Sequence, residues 1–289
     1  GGLFDQIGGG FSRYSTDERW HIPHFEKMLY DNGQLLSCYG LILNIERPFN
    51  WNQTIKKTHY WLINKMMNSD GLFFSAQDAD SEGEEGKYYV WSSQELEENL
   101  NDKEYELISD FYSIDKESYW EEDKNVLMVP DSQDYESIDA EKLRLAEKKL
   151  YKLREQREEP GTDTKIICSW NALVLKGLLD TESSSDLFNE SKIKEHIEAF
   201  LEYFYVDGQL YRIKSQSSIK PALCEDYAQS ISLLIQAYEY YFDEKYLIKA
   251  MELAEECIER LYDSRKGLFK NSESSLIDQT YDTVDDVIP

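Results

Sequence analysis

Helix-sized segments of two different kinds alternate along this chain, and that alternation limits it to very few architectures. Residues 244–262 show the first kind. Leu247, Ala250, Met251, Ala254, Cys257, Ile258 and Leu261 recur at intervals of three and four, while Lys245, Lys249, Glu252, Glu255, Glu256 and Glu259 fill the opposite face. Such a one-sided pattern describes a helix lying on a core. The segments 190–205 and 52–67 behave likewise, and 139–157 is a more polar fourth example. The second kind is apolar nearly all round: 225–242, 169–179 and 24–45. A helix that is hydrophobic on every side must be covered on every side. Alternating enclosed and half-enclosed helices therefore predict two concentric rings, an all-α (α/α) toroid whose neighbouring helices are antiparallel. The inner helices then run the same way, with their N-termini at one mouth.

The junctions repeat too. Gly2-Leu3-Phe4, Gly71-Leu72-Phe73-Phe74, Gly208-Gln209-Leu210-Tyr211 and Gly267-Leu268-Phe269 each place a glycine before apolar and aromatic residues. Self-similar junctions are the mark of stacked helical units. Glycine supplies the positive φ of a helix C-cap, and the short run after it reads as a hairpin at the mouth. The wide gap between the second and third copies predicts one expanded unit. The reading is a single toroid domain over 1–289, with an acidic insertion at about 92–138 read as a solvated excursion.

Charge and cysteine usage narrow the function. A net charge of −26 opposes binding to a phosphate backbone, so no nucleic-acid partner is expected. With 41% hydrophobic and 13% aromatic residues the chain is globular, and no long apolar span suggests a membrane. A cytoplasmic location is expected. Cys38, Cys168, Cys224 and Cys257 show no metal-ligand spacing and read as buried free thiols.

The chemistry gathers at the expected inner-helix starts. The first reads Trp20-His21-Ile22-Pro23-His24-Phe25-Glu26, the second Cys168-Ser169-Trp170-Asn171 with Ser169 as N-cap, and the third Cys224-Glu225-Asp226-Tyr227. A fourth begins at Asp285-Asp286. Acidic residues in a first turn complement the helix dipole and need no further role. Carboxylates that converge with aromatic platforms, however, are what sugar chemistry uses. Asp78 and Asp80, in an acidic loop, join Glu225 and Asp226 as catalytic candidates, with Arg13, Tyr14, Trp20, His21, His24, Glu26, Trp170, Asn171 and Tyr227 as substrate-binding candidates. The loop starting at Asp78 has acids at calcium-loop positions, but Tyr89 stands where the closing Glu of an EF-hand belongs. His21 and His24 flank Pro23 and lack a third ligand. No metal and no cofactor is therefore expected. Gly8-Gly9-Gly10 lacks a phosphate-loop context and reads as a flexible bend carrying Arg13 and Tyr14.

The run from Arg13 through Trp20-His21-Ile22-Pro23-His24-Phe25-Glu26-Lys27-Met28-Leu29-Tyr30 to Asp31 closely resembles the spermatogenesis-associated protein 20 family. Asp78-Ala79-Asp80-Ser81-Glu82-Gly83-Glu84, Tyr89-Val90-Trp91, Ser169-Trp170-Asn171 and Glu225-Asp226-Tyr227-Ala228 look like its other motifs. The resemblance implies a toroid of the six-hairpin glycosidase type and a thioredoxin-like domain upstream of Gly1. It also implies further hairpins beyond Pro289, so that the ring here is incomplete.

Three functions compete. A carbohydrate-active domain would use the carboxylates as acid and base on a small-molecule sugar, with Trp20 and Trp170 stacking on sugar faces. A sugar 2-epimerase is the second, although both rim histidines here come from one motif. A non-catalytic binding module serving a redox domain is the third.

Overall fold

A computed structural model describes residues 1–43, 49–121, 123–130, 138–182, 186–214 and 219–273. Its helices are α1 (Leu29–Leu43), α2 (Phe49–Trp61), α3 (Ser93–Asn99), α4 (Asp102–Phe111), α5 (Ala140–Arg154), α6 (Cys168–Asp180), α7 (Glu190–Phe204), α8 (Cys224–Tyr241) and α9 (Glu244–Leu261). The chain divides into two compact units. One comprises Gly1–Met28, Glu46–Met66 and Ala76–Asp163; the other comprises Leu29–Ile45, Met67–Ser75 and Thr164–Pro289.

The second unit shows the helical hairpins that the alternation predicts. Helix α6 lies between α1 and α8, α7 packs on α6, and α9 packs on α8. Glycine sets the closeness of α1 to α6. A Cβ on Gly177 would sit 2.5 Å from the Gly33 carbonyl oxygen, and one on Gly40 would sit 2.5 Å from that of Asp180. Early residues of α1 thus meet early residues of α6, and late meet late, so the two helices run the same way. The same holds for α6 and α8. Ser169 bonds Asp226 near the start of each, whereas Gln236 bonds Asp180 near their ends. Helix α9 returns antiparallel, with Tyr227 against Glu256 at one end and Tyr241 against Tyr246 at the other. Same-direction inner helices and an antiparallel outer return are the layout of an (α/α) toroid.

Helix α6 is enclosed from Cys168 to Leu179 apart from Trp170 and Lys176, as its all-round apolar sequence requires. Helices α1 and α8 are less covered, with Leu41 and Ile235 exposed. The outer helices α7 and α9 bury one face each, Ile193, Ile197, Phe200 and Phe204 in α7 and Tyr246, Ala250, Leu253, Cys257 and Leu261 in α9. Gly71, Gly208 and Gly267 all adopt positive φ at the predicted junctions. After α7 and α9 the chain forms hairpins, pairing Tyr205–Val206 with Gln209 and Leu210, and Tyr262–Asp263 with Leu268–Phe269.

In the first unit, α2 continues into a π-helical turn over Leu62–Met66. A three-stranded sheet joins Lys27–Met28, Ala76–Gln77 and Thr162–Asp163, with the middle strand antiparallel to both neighbours. This pairing corrects the expected helix over 24–45. The chain is extended at Lys27–Met28, and Phe25 has a left-handed φ of 51°, so α1 begins only at Leu29. Pro23 therefore does not open a helix. The acidic insertion is likewise more than a solvated excursion. Helices α3, α4 and α5 enclose Trp91, Leu96, Ile108, Phe111, Tyr112, Ala146 and Leu150, and most of their charges, Arg154 apart, occupy the outer faces. Asn101 and Glu104 form a capping box that starts α4. Gly8, Gly9 and Gly10 are buried rather than a loose bend. A Cβ on Gly9 would meet the Lys57 carbonyl oxygen at 2.0 Å, and one on Gly10 the Trp61 ring at 2.8 Å. Of the four thiols, Cys168 and Cys257 are buried as expected, but Cys38 is exposed and Cys224 half-buried. The expected start at Asp285-Asp286 lies outside the described residues. No helix among the described residues is long and apolar enough to cross a membrane.

Candidate functional site

The polar centre of the second unit lies where α6 and α8 begin. Neither helix has a side-chain cap at the residue preceding it, Ile167 or Leu223. Asp226 does both jobs. Its Oδ2 accepts from the Leu223 N–H at 2.8 Å, closing the first turn of α8, and its Oδ1 accepts from the Ser169 N–H of α6 at 3.0 Å. One carboxylate thus satisfies free N–H groups on two adjacent helices. Ser169 is not itself the N-cap, because α6 starts one residue earlier. Instead its hydroxyl donates to Glu225 Oε1 at 2.5 Å. Arg212, on the strand Gln209–Lys214, donates from Nη1 to Glu225 Oε1 at 2.9 Å and to Asp226 Oδ2 at 3.2 Å.

The two carboxylates are not equivalent. Asp226 is fully buried, whereas the Glu225 side chain keeps a quarter of its surface open. Burial raises the Asp226 pKa, opposed by the Arg212 charge and by the Leu223 and Ser169 N–H groups. Among the described residues, both bonds to Glu225 fall on Oε1. At the same helix end, the half-buried Trp170 ring meets the buried Tyr30 ring edge-on at 4.7 Å, which adds the start of α1. Asn171 and Tyr227 are turned inward. The Asn171 amide bonds the Phe73 N–H and carbonyl and the Ile167 carbonyl, fastening the Gly71 junction to α6. The Tyr227 hydroxyl donates to Glu256 at 2.9 Å.

The first unit holds the remaining candidates. Asp17 organises their loop, since its carboxylate accepts the N–H groups of Arg19, His21 and Ile22. At the tip, Trp20 has a φ of 61° and 61% of its surface exposed. Tyr14 stacks on His24 with ring centres 4.7 Å apart, and Arg13 pairs with Glu26 at 3.5 Å. His24 Nε2 lies 4.0 Å from Glu85. Asp78 and Asp80 are both exposed. Asp80 and Ser81 pair with Glu85 and Glu84 around a two-residue turn, Glu82-Gly83, in which both φ angles are positive. Such a turn matches the twist of a hairpin.

Sequence reasoning missed four charged residues. Arg212 stood in an ordinary alternating run, and nothing in it announced a carboxylate partner. Asp5, Lys27 and Arg154 form a buried ion-pair cluster inside the first unit. Asp5 and Arg154 are too far apart in sequence for any spacing rule to join them.

The chain is 32% identical, over 89% of its length, to an uncharacterized protein of Caenorhabditis elegans. It is 28% identical, over 96% of its length, to spermatogenesis-associated protein 20 of Homo sapiens and of Mus musculus. The resemblance carried by the motifs thus extends along nearly the whole chain. The chain spans 41% of the Caenorhabditis and human proteins and 40% of the mouse one. No family model matches it. Among solved structures, it aligns with cellobiose 2-epimerase from Spirochaeta thermophila at 14% identity and a TM-score of 0.36, covering 97% of this chain and 87% of the other. A sugar epimerase from a ruminal bacterium aligns at 16% identity and a TM-score of 0.32, covering 96% and 87%. Likenesses this distant carry no conclusion about activity.

Proposed function

We propose that this chain is a carbohydrate-processing helical domain in which Glu225 exchanges a proton with a bound sugar. The observation that carries the reading is the meeting of three helix starts. Trp170, half-buried and backed edge-on by the buried Tyr30 ring, brings an aromatic surface to the end where Ser169, Glu225 and Asp226 converge. A flat ring at the same helix end as a positioned carboxylate suits a pyranose, whose faces are apolar and whose edges carry hydroxyls. Glu225 is the group that meets ligand, because it keeps open surface while Ser169 and Arg212 fix its orientation. Asp226 is a positioning residue. It is enclosed, and it holds Arg212 and the two helix starts in register.

In the first unit, Asp78 and Asp80 are proposed separately as carboxylates for hydrolytic acid–base chemistry. Arg13, Tyr14, Trp20, His21, His24 and Glu26 are proposed as polar and stacking groups for the substrate. The proposal includes a cytoplasmic location and, as the resemblance implies, a thioredoxin-like domain in the whole protein. The test is a panel of mono- and disaccharides assayed separately for hydrolysis and for 2-epimerisation, with Glu225→Gln, Asp78→Asn and Asp80→Asn beside wild type. The reading requires turnover of some sugar and at least a hundredfold loss in Glu225→Gln, the usual scale for general acid–base catalysis. Turnover undiminished in that variant removes Glu225 from the chemistry. Isomerised rather than hydrolysed product assigns the epimerase class.

A further inference from the structure

Inside the first unit two buried cations share one anion. The Asp5 carboxylate accepts from Lys27 Nζ at 2.7 Å, from Arg154 Nη1 at 2.8 Å, and from the N–H groups of Ile7 and Gly8. The three side chains are 8%, 2% and 3% exposed, so this cluster holds a net positive charge away from water. Buried charge is costly unless it is paired. The faces of Tyr88 and Tyr89 offset part of it, with Arg154 4.9 Å from the first ring and Lys27 4.8 Å from the second. Burial outweighs the attraction of Asp5 and pushes the Lys27 pKa down to about 8, and Arg154 adds to the lowering. Arg154 Nε is buried and has no hydrogen-bond partner among the described residues. An orphaned guanidinium N–H in a native interior calls for an acceptor.

A narrow cleft opens beside this group, with room for about one water-sized particle. Lys27, Lys65, Arg154, Trp61, Tyr88 and Tyr151 line it, with Asp5 contributing the negative charge. Lys65 has its own partner in Glu159. We propose that the cleft is a binding site for a single halide ion such as chloride, held by Arg154 Nε and the Lys27 and Lys65 charges. An anion there balances the surplus charge and accepts the orphaned N–H. Room for one water-sized particle excludes a whole sugar. The site is therefore separate from the Glu225 proposal and does not depend on it.

Bromide provides the direct probe. Crystals of the full chain soaked in sodium bromide should show an anomalous peak within hydrogen-bond distance of Arg154 Nε. In solution, broadening of the chloride NMR line should saturate, bromide should compete, and acetate and inorganic phosphate should displace chloride at least tenfold more weakly. Arg154→Gln should weaken chloride binding at least tenfold, and Lys65→Gln, at a half-buried position, should weaken it several-fold without unfolding the chain. Empty density in the cleft of the well-ordered wild-type crystal overturns the proposal. So does chloride binding unchanged in Lys65→Gln together with a bromide peak only elsewhere.

Discussion

Gly177→Ala sets two effects of opposite sign against each other. Alanine favours helix over glycine by about 0.8–1 kcal/mol, so in an isolated α6 the change stabilises. In the folded chain the new methyl would lie 2.5 Å from the Gly33 carbonyl oxygen and 2.7 Å from Leu36 Cβ, both on α1. A carbonyl cannot rotate away as a side chain can, so α1 and α6 must separate. Overpacking of a close-packed core costs about 1–3 kcal/mol, and the backbone contact puts this case at the upper end. The net expectation is a loss of about 2 kcal/mol once the propensity gain is subtracted. At roughly 2–4 °C per kcal/mol for a chain of this size, Tm should fall by about 4–8 °C. Thermal and urea unfolding followed by circular dichroism and by tryptophan fluorescence, to which Trp170 at the start of α6 contributes, would measure it. A variant as stable as wild type, or more so, refutes the glycine-mediated contact and with it the side-by-side placement of α1 and α6.

Further outcomes follow from the buried charges. Asp5→Asn leaves Lys27 and Arg154 without their shared counter-charge and should cost about 3–5 kcal/mol in urea unfolding; a change under 1 kcal/mol contradicts the cluster. His59 is fully buried, and burial lowers its pKa to about 3, so the unfolded chain takes up a proton near pH 6.5 that the folded chain refuses. Stability present above pH 6.5 should therefore fall as pH drops towards 3, by about 1.4 kcal/mol per pH unit from this group, and His59→Gln should flatten that part of the curve. A double-mutant cycle of Asp226→Asn with Arg212→Met should show coupling of about 1–3 kcal/mol, given their 3.2 Å pair; additive effects contradict it.

The frame of the second unit was legible because its signals are local. One-sided patterns marked α7 and α9 to within a residue or so, and the glycines at 71, 208 and 267 sit at their junctions because only a residue without Cβ takes positive φ freely. Local signals also misled. Residues 24–28 carry apolar side chains at helical spacing, yet strand pairing with Ala76–Gln77 claims Lys27 and Met28, a long-range hydrogen-bond choice that periodicity does not encode. Glu225 and Asp226 could be found as acids opening a helix. Their division into an open and an enclosed carboxylate depends on Arg212 and Ser169, which arrive from other elements. Asn171 and Tyr227 look equally chemical in sequence, and only their partners Phe73 and Glu256 show them turned into the frame. The Asp5–Lys27–Arg154 group joins three distant stretches of chain, beyond the reach of any pattern in sequence.

The account rests most heavily on Glu225 as the ligand-facing carboxylate at the joint start of the inner helices. Isothermal titration calorimetry of the full chain with a sugar panel, repeated on Glu225→Gln and on the exposed control Glu255→Gln, tests that directly. The account predicts saturable binding of at least one sugar, weakened tenfold or more in Glu225→Gln and unchanged in Glu255→Gln. Equal affinity in all three proteins, or no heat with any sugar, contradicts it.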